Sequence, residues 1–559
     1  MGQVGRRMAL TGAFATGLSA STRAARGPCT DHSLRAGPSP VVDAPCGPVR
    51  GLAGGITGNG SWFLGIPYAA PPTGALRYAS PVAAPRWSEP LDATAGGPAP
   101  IQTLGGAAAW LYESGWKQDE ACLSLNVWTP ETQGKRPVMV WLHGGAWRTG
   151  QGNAAGTQGY ALMQAGVVLV TVNYRLGALG WLGHPALRDP ETGAFANWGM
   201  QDQVAALRWV KANIAAFGGD PDNVTLFGQS AGGSSTASLA QDPRNAGLLH
   251  KAIIESGSLH GAPGFPVVDT AAAYTEALAK RLDTDVPGLR AVPALALHQA
   301  EILLGRDPAM VRSLGRPPVL PVLDGVVLRT WPRDGTVPAI PLLIGTTRNE
   351  GAFWFDLIDP DGKPVVTLKP PTDRGQLVSN IRDLAAIYRP EATEVPAERI
   401  ATVYADAARS RGEPDGVLPV WVAAYSDIVF RLRARAAAQN HAQRHVQLQA
   451  GAGHATYLYE FQRPLAAPAH GVPHTSEIPF VFGTYGDEFF AGKAGCDAAA
   501  LSSVMTQAWA DFARTGSPGA GWATATAQRP VINLLGGPDG LLATRADVRL
   551  EELAAWGVT

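Results

Sequence analysis

The chain has 559 residues, of which 46% are hydrophobic and 16% charged, a composition that is typical of a folded globular protein and excludes a disordered one. Its formal net charge is −1 and no run is rich in lysine and arginine, which excludes an electrostatic footprint for nucleic acid. No apolar run reaches the roughly 18 residues of a membrane span, and four scattered cysteines exclude a disulfide framework or a zinc site.

The first 26 residues have the features of an export signal. Arg6 and Arg7 precede a short apolar stretch from Met8 to Ala20, and small residues follow, with cleavage expected near Ala24 or Ala25. Paired arginines are typical of the twin-arginine route. The sequence therefore predicts export to the periplasm or out of the cell, whereas a merely disordered leader would leave the protein in the cytoplasm.

Residues 27–48 are rich in proline and are predicted to form an irregular arm. They include Cys29 and Cys46, while Cys122 and Cys496 lie further along the chain. An exported protein can contain a disulfide bond or two. The pairing of these cysteines is not legible from the sequence.

Strand and helix patterns alternate through the middle of the chain. Strands are predicted in "PVMVWLHGG", "GVVLVTVNYR", "NVTLFGQS", "KAIIESGS" and "PLLIGTTRNEG". A helix is predicted in "QDQVAALRWVKANIAAFGGDP", ending at Gly218-Gly219. This order indicates βαβ units and a mainly parallel, twisted sheet with helices on both faces. The Pro-punctuated helical ranges 261–340 and 351–450 are predicted to be insertions that roof the sheet.

The segment "VTLFGQSAGGSS" contains the pattern Gly-x-Ser-x-Gly between a predicted strand and a predicted helix. In a nucleophile elbow, a serine occupies a sharp strand-to-helix turn, where small neighbours are needed because the backbone approaches itself closely. The pattern alone also arises by chance in loose turns. Its context here makes Ser230 the candidate nucleophile.

A serine hydroxyl is a poor nucleophile and needs a base, which in turn needs an orienting carboxylate. In α/β-hydrolases these residues follow in the order serine, acid, histidine. The candidates are Glu350, directly after an apolar strand, and His474 in "HGVPHTSEIPFVFG", at comparable spacings along the chain. Each has rivals that are as readily explained by packing or by a turn: Asp324, Asp356, His441, His445, His454 and His470.

At this point the sequence resembles a known family, the type-B carboxylesterases, which include the cholinesterases. The resemblance extends over almost the whole chain from about Val49. It is carried by ordered motifs that include "LGIPYAAPPTGALRY", "CLSLNVWTP", "WLHGGAW", "VTVNYRLGALGWL", "NVTLFGQSAGG", "NEG", "HTSEIPFVFG" and "WADFARTGSP". It implies one α/β-hydrolase domain over residues 49–559.

The resemblance also assigns site residues. It implies a catalytic triad of Ser230, Glu350 and His474, in which glutamate is the family's acid. It implies that the oxyanion is held by the backbone N–H groups of Gly145, Ala146 and Ala231. Ser256 and Glu477 match residues that support the histidine side of the family's site, and ordinary buried polar pairing is the alternative explanation for both.

The sequence departs from the cholinesterase pattern at two places. Gln229 stands where the cholinesterases have glutamate, and a neutral amide neither favours imidazolium nor attracts cations. Cys122 matches one half of a family disulfide, but Ile101 stands where its partner would be expected, so the loop lacks its usual bridge unless Cys46 reaches it. Trp110, Trp116, Trp147 and Trp181 lie near site motifs, although most tryptophans are expected to pack in the core.

We therefore predict a serine carboxylic-ester hydrolase that works through an acyl-enzyme on small to medium, uncharged or anionic esters. No metal or organic cofactor is implied, and activity is expected to fall as His474 becomes protonated in acid. Two alternatives remain. One is a hydrolase of carbamates or activated amides with the same triad, and the other is a noncatalytic binding protein with the esterase fold. The acyl and alcohol groups and the oligomeric state are not legible from the sequence.

Overall fold

The structure is a computed structural model, and it describes residues 40–54, 60–103, 117–257, 266–307, 319–330, 339–357, 364, 368–389, 395–447, 455–464, 471–485, 495–528, 531–546 and 549–557. The predicted export signal and residues 27–39 of the predicted arm lie outside these ranges. So do Cys29, Trp110, Trp116, His454 and His470, and the side chains of His445 and Cys496. The division of the chain into leader, arm and one domain stays a prediction.

The end of the predicted arm is a hairpin, so the expectation of irregular structure is wrong for residues 41–48. Strand β1 (Val41–Ala44) pairs antiparallel with β2 (Gly47–Arg50), and β2 pairs with the short β5 (Leu91–Asp92). The burial of β1 alternates residue by residue, as expected of a strand with one buried face. The prolines beside this short alternation conceal it in the sequence.

The main sheet has eleven strands in the order β14-β13-β12-β11-β10-β9-β7-β8-β6-β4-β3. All neighbours from β13 to β8 are parallel, and the outer strands β14, β6, β4 and β3 pair antiparallel. The mainly parallel sheet is thereby confirmed. The strands are β3 Leu52–Ala53, β4 Ser61–Pro67, β6 Ser124–Thr129, β7 Arg136–Leu142, β8 Val168–Val172, β9 Gly219–Gln229, β10 Lys251–Glu255, β11 Leu342–Thr347, β12 Thr456–Phe461, β13 Val531–Gly537 and β14 Gly540–Ala546.

Apolar side chains fill both faces of the sheet. On β7, Val138, Val140 and Leu142 belong to one buried cluster, while Met139 and Trp141 belong to another. Successive residues of a strand point to opposite faces, so the continuous apolar run of β7 supplies two separate cores. This explains why the central strands read as unbroken hydrophobic stretches.

Helices cover both faces, and a group of them after β11 has its own apolar core. The predicted helix ends as expected, since a 3₁₀ turn at Ile214–Phe217 is closed by Gly218 with φ 80°. The α-helices are α1 Tyr160–Gln164, α2 Gly177–Trp181, α3 Trp198–Asn213, α4 Ala231–Gln241, α5 Val268–Arg281, α6 Ala294–Gly305, α7 Ala352–Phe355, α8 Arg374–Tyr388, α9 Ala397–Ser410, α10 Val417–Ser426, α11 Leu432–Gln447, α12 Ile478–Phe482, α13 Gly495–Thr515 and α14 Leu550–Ala555.

Within the ranges given above, no helix combines the length and the apolar character needed to cross a membrane.

Candidate active site

Ser230 lies at the sharp turn between β9 and α4. Its backbone has φ 57° and ψ −119°, a strained conformation for a residue other than glycine. A Cβ atom on Gly228 would lie 2.6 Å from the carbonyl oxygen of Leu142, and one on Gly232 would overlap the same oxygen. Glycine is therefore required on both sides of Ser230, because β9, α4 and β7 approach more closely than side chains allow.

Glu350 and His474 form a direct hydrogen bond in the protein interior. His474 Nδ1 lies 2.5 Å from Glu350 Oε2, and both side chains are buried. Because Nδ1 faces the carboxylate, Nδ1 carries the proton, which leaves Nε2 as the basic nitrogen. The structure thus joins two of the three predicted triad residues, which lie 124 residues apart in sequence.

Gln229 connects this pair to the serine turn. Its amide nitrogen lies 3.2 Å from Nε2 and 3.4 Å from Nδ1 of His474. Since the two distances are nearly equal, the amide lies across the ring rather than along the lone pair of one nitrogen. Among the described residues, the Ser230 hydroxyl donates no hydrogen bond. Catalytic hydrogen bonds often form only when substrate is bound.

Ser256 contacts the acid of the pair rather than the histidine ring, and Glu477 contacts Ser256. Ser256 Oγ donates to Glu350 Oε1 at 2.6 Å and lies 3.4 Å from Glu477 Oε1. The backbone N–H of Thr347 donates to the same Glu350 oxygen at 2.8 Å. Donors therefore reach both carboxyl oxygens of Glu350. The support predicted for the histidine side therefore reaches His474 through Glu350.

The loop after β7 lies against Ser230. A Cβ atom on Gly144 would lie 3.1 Å from the Ser230 Cβ. Gly145 and Ala146 have φ values of 102° and 54°. Among the described residues, the backbone N–H groups of Gly145, Ala146 and Ala231 donate no hydrogen bond. Free N–H donors beside a strained serine are what a developing oxyanion requires.

His143 and Arg148 hold this loop in place. His143 Nδ1 lies 2.8 Å from the Gly144 carbonyl oxygen, and burial lowers the pKa of His143 to about 4, so the ring is neutral. Its ring stacks on Tyr174 with centroids 4.3 Å apart. Arg148 forms an ion pair at 3.2 Å with the buried Glu301 of helix α6. The loop is therefore fastened both to the sheet and to the helices above it.

Backbone strain is concentrated in this region. Eight described residues other than glycine have positive φ, and five of them lie at the site. Strained residues persist where the surrounding structure determines them, and they cluster at active sites. The five are Ala146, Trp147, Ser230, Ser256 and Thr475.

Several residues of the site were not predicted from the sequence. Asn349 donates from its N–H to the Val472 carbonyl at 3.0 Å, and its side-chain oxygen accepts from Val472 N at 3.2 Å. This reciprocal pair fixes the segment that carries His474 beside the segment that carries Glu350. The rings of Trp354 and Phe430 lie 4.9 Å and 5.0 Å from the His474 ring. The aromatic residues after Glu350 in "NEGAFWF" are the only sequence signal for this packing.

The described rivals of the triad residues have other partners. Asp324 Oδ1 accepts from the N–H groups of Val326, Val327 and Leu328, which is the Asp-Gly turn expected for it. His441 lies 2.7 Å from Thr456 Oγ1. Asp356 follows α7 at its carboxyl end.

The cysteine expectations are resolved in part. Cys46 and Cys122 are both free, so Cys46 does not provide a bridge to Cys122. Ile101 is buried in the core cluster that also contains Cys122. Apolar packing takes the place of the family disulfide at this position.

Trp147 and Trp181 are buried against each other, with centroids 5.9 Å apart.

The sheet order, the strained serine turn at the end of β9 and the buried carboxylate–imidazole pair define an α/β-hydrolase. The sequence profile described as "Carboxylesterase family" matches residues 38–539. The para-nitrobenzyl esterase of Bacillus subtilis (strain 168) is 35% identical over 484 residues, which cover 84% of this chain and 89% of that protein. The fumonisin B1 esterase of Sphingopyxis macrogoltabida is 33% identical over 487 residues, which cover 84% of this chain and 82% of that protein.

Solved structures agree with these relatives. A PNB esterase superposes with a TM-score of 0.71 at 30% identity, covering 92% of this chain and 99% of the other. The carboxylesterase EST55 of Geobacillus stearothermophilus superposes with a TM-score of 0.72 at 31% identity, with the same coverage. The chain belongs to the carboxylesterase family and is a serine carboxylic-ester hydrolase.

Proposed function

We propose that Ser230 is the nucleophile, that His474 is the general base and that Glu350 holds the His474 tautomer. The observation that carries this proposal is the 2.5 Å bond between His474 Nδ1 and Glu350 Oε2, next to the strained turn of Ser230. Ser230 Oγ attacks the ester carbonyl carbon and passes its proton to His474 Nε2. The carbon–oxygen bond to the alcohol then breaks, and the same proton leaves with the alcohol.

The intermediates follow from the same groups. The tetrahedral oxyanion is held by the backbone N–H groups of Gly145, Ala146 and Ala231, which are unoccupied by other described acceptors. The acyl group then remains on Ser230 until water attacks its carbonyl carbon and gives a proton to His474 Nε2. The bond to Ser230 Oγ breaks, His474 returns the proton to Oγ, and the acid leaves. Glu350 stabilises the imidazolium in both halves of the reaction without taking its proton.

Labelling tests the nucleophile. A fluorophosphonate should modify Ser230 in the wild-type protein, and Ser230→Ala should lose the label and about 10⁶-fold in kcat. Ser80→Ala is the matched control, because Ser80 hydrogen-bonds Thr192 outside the site. A label that persists in Ser230→Ala, or a wild-type protein that is never labelled, would reject the assignment.

We propose that the substrates are small to medium esters that are uncharged or anionic. Gln229, beside the nucleophile, is neutral. Arg148, three residues after Gly145 in the sequence, is a cation with 34% of its side chain exposed. A choline ester should be hydrolysed more slowly than its uncharged 3,3-dimethylbutyl isostere. Gln229→Glu should raise the rate for the choline ester relative to the rate for the isostere. A wild-type preference for the cation contradicts the proposal. Aryl esters of increasing acyl length then define the acyl pocket.

Carbamates and activated amides are a second candidate class. The phenmedipham hydrolase of Pseudarthrobacter oxydans is 33% identical over 505 residues, covering 87% of this chain and 94% of that protein. The same triad can transfer a carbamoyl group to Ser230 and then to water. Repeated turnover of an aryl carbamate supports this class, whereas a single burst followed by permanent inactivation shows that carbamates are inhibitors only.

We propose that residues 1–26 direct export and leave residues 49–559 as the catalytic domain. The support is the order of Arg6-Arg7, an apolar stretch and small residues in the sequence. Cell fractionation should find the esterase outside the cytoplasm, and replacing both arginines with lysine should retain it inside. Equal distribution of the two proteins would contradict a twin-arginine signal.

A further inference from the structure

A row of residues in register crosses the sheet and begins at Gln229, whose side-chain amide contacts His474. Gln229 on β9 pairs with Glu255 on β10, Glu255 pairs with Gly345 on β11, and Gly345 pairs with Tyr459 on β12. Residues in register share one face of the sheet. Because Gly345 has no side chain, the Tyr459 ring lies over it, where a Cβ atom would overlap the ring. Glu255 is therefore the lateral neighbour of Gln229, which contacts His474.

Glu255 is a buried acid that the reaction scheme does not use. Its side chain is fully buried, and Trp509 Nε1 of helix α13 donates to Oε1 at 2.7 Å. Its other oxygen, Oε2, has no hydrogen-bond partner within the described ranges. The Trp509 ring in turn packs edge-on against Tyr459, with centroids 5.3 Å apart. Within those ranges no cation forms an ion pair with Glu255.

Two titratable groups interact electrostatically with Glu255, namely Glu477 before α12 and Tyr459 on β12, and both also interact with Glu350 after β11. Burial raises the pKa of Glu255 to about 8. Burial and the neighbouring Glu350 and Glu255 raise the pKa of Glu477 well above its usual range. Burial and the three carboxyl groups likewise raise the pKa of Tyr459. Glu350 accepts three hydrogen bonds, from Ser256, the Thr347 N–H and His474.

Glu255 ionises before Glu477 because their donors differ. The N–H of Trp509 points at Glu255 and can stabilise its carboxylate. Glu477 lies 3.4 Å from Ser256 Oγ, whose single proton is given to Glu350 at 2.6 Å. A charge on Glu477 would therefore face Glu350 with only its own backbone N–H and the shared Ser256 hydroxyl as donors.

We propose that Glu255 is a positioning residue of the esterase, whose carboxylate charge acts on His474 from beside Gln229. In mildly alkaline solution the Glu255 carboxyl releases one proton to solvent, and the negative charge then lies next to Gln229, which contacts His474. That charge stabilises the imidazolium that forms when His474 accepts the Ser230 proton, so the chemical step becomes faster. Glu255 does not touch the ester and acts only through His474. The proposal therefore rests on the roles proposed for Ser230, Glu350 and His474.

The test is the pH profile of kcat/KM for an uncharged phenyl ester from about pH 6 to about pH 10. The wild-type enzyme should show an acid limb and then a second rise centred near pH 8, roughly three- to tenfold in size, as expected when one unit charge is added to a buried site. Glu255→Gln, in which the amide oxygen still accepts from Trp509, should keep the acid limb and lose the second rise. Glu398→Gln, at an exposed carboxyl, should keep both.

Two further variants separate this role from simple packing. Trp509→Phe removes the donor to Glu255, so the second rise should move to higher pH. Glu477→Gln replaces an acid that stays neutral in this range, so the rise should remain near pH 8 in that variant. Loss of the rise in Glu477→Gln would instead assign it to Glu477, and these two variants carry the test if Glu255→Gln fails to fold.

The proposal is overturned by a wild-type profile without the second rise, by an unchanged rise in Glu255→Gln, or by a uniform loss of activity at every pH in that variant. It is also overturned by loss of the rise in Glu477→Gln, or by an unmoved rise in Trp509→Phe. None of these results resembles a failure of the triad, which would appear as full activity in Ser230→Ala.

Discussion

The ring of Phe430 lies against the imidazole of His474, with centroids 5.0 Å apart and planes inclined by 42°. Phe430 belongs to the π-helical turn Asp427–Arg431 between α10 and α11, and single π turns occur frequently at functional sites. Trp354 stacks on Phe430 at 5.7 Å and also reaches the imidazole. The rings confine the imidazole to the orientation in which it meets Glu350.

Phe430→Leu should therefore lower kcat by about tenfold with little change in KM, because a poorly positioned base affects the chemical step more than binding. The measurement is steady-state kinetics on one neutral ester. Phe217→Leu is the matched control, since Phe217 packs edge-on against Phe63 in the core at 5.0 Å, away from His474. Equal losses of kcat in the two variants would show that the effect is general destabilisation.

The conformation of the loop after β7 depends on Gly145, which has no room for a side chain. Gly145 has φ 102°, and a Cβ atom there would overlap the carbonyl and hydroxyl oxygens of Thr149. Gly145→Ala should displace an oxyanion donor and lower kcat by about 10²–10³-fold. Gly134→Ala is the control. Gly134 also has a positive φ, 116°, but a Cβ atom there would meet no other atom within 4 Å. The two variants therefore share the backbone strain, and only Gly145→Ala adds a steric overlap. Similar kinetics in both variants would refute the role of the Gly145 amide.

Much of the site could be predicted because its signals are local. The elbow needs glycine at positions 228 and 232, and the acid directly follows an apolar strand, so Ser230 and Glu350 can be read from short segments. The overlap of a Cβ at Gly232 with Leu142 is the physical reason for that pattern. His474 needed the family resemblance, since no local feature distinguishes it from His441.

The other contributions depend on packing that no short segment encodes. Phe430 reads as one more apolar residue of a helix, and its place beside His474 follows from how α10 and α11 pack. Glu255 directly precedes Ser256, yet its importance comes from the register of four strands, which joins residues 229, 255, 345 and 459.

Arg148 links the loop after β7 to helix α6. Its guanidinium forms an ion pair at 3.2 Å with Glu301, of which 1% of the side chain is exposed. The Glu301 carboxylate also accepts a hydrogen bond from the Ala178 N–H at 2.7 Å. Arg148→Gln removes the cation that pairs with the buried Glu301 carboxylate, so we expect a loss of about 1–3 kcal/mol in the free energy of unfolding. Urea denaturation measures it, with Arg374→Gln of an exposed ion pair as the control. Equal stability of both variants would mean that Glu301 does not depend on Arg148.

Arg175 and Asp202 form a buried ion pair that fixes the chain after β8 to helix α3. Asp202 accepts from Nε at 2.8 Å, from Nη2 at 2.7 Å and from the Arg175 backbone N–H at 3.0 Å. Asp202→Asn should cost about 3–5 kcal/mol, since it leaves a buried guanidinium without its charge partner. Denaturation curves that stay within about 0.5 kcal/mol of wild type, as expected for a surface change, would contradict this.

Glu255 should also make stability depend on pH. Burial raises its pKa from 4.5 to about 8 in the folded protein. Between these values the folded protein holds a proton that the unfolded chain has released. The residue therefore contributes stability that is fully present below about pH 4.5 and is lost as the pH rises towards 8. His143 has the opposite effect, because burial lowers its pKa to about 4, and its contribution is lost as the pH falls.

Comparing Glu255→Gln with the wild-type protein isolates the first effect, since His143 is present in both and cancels. The free energy of unfolding of the variant minus that of wild type should increase from about pH 4.5 to about pH 8 and then level off. The total increase is at most about 5 kcal/mol, from 1.36 kcal/mol for each pKa unit. Urea denaturation at several pH values measures it. A difference that stays constant across this range would show that Glu255 has the same charge in the folded and unfolded protein, and the alkaline rise proposed for kcat/KM would then lack its physical cause.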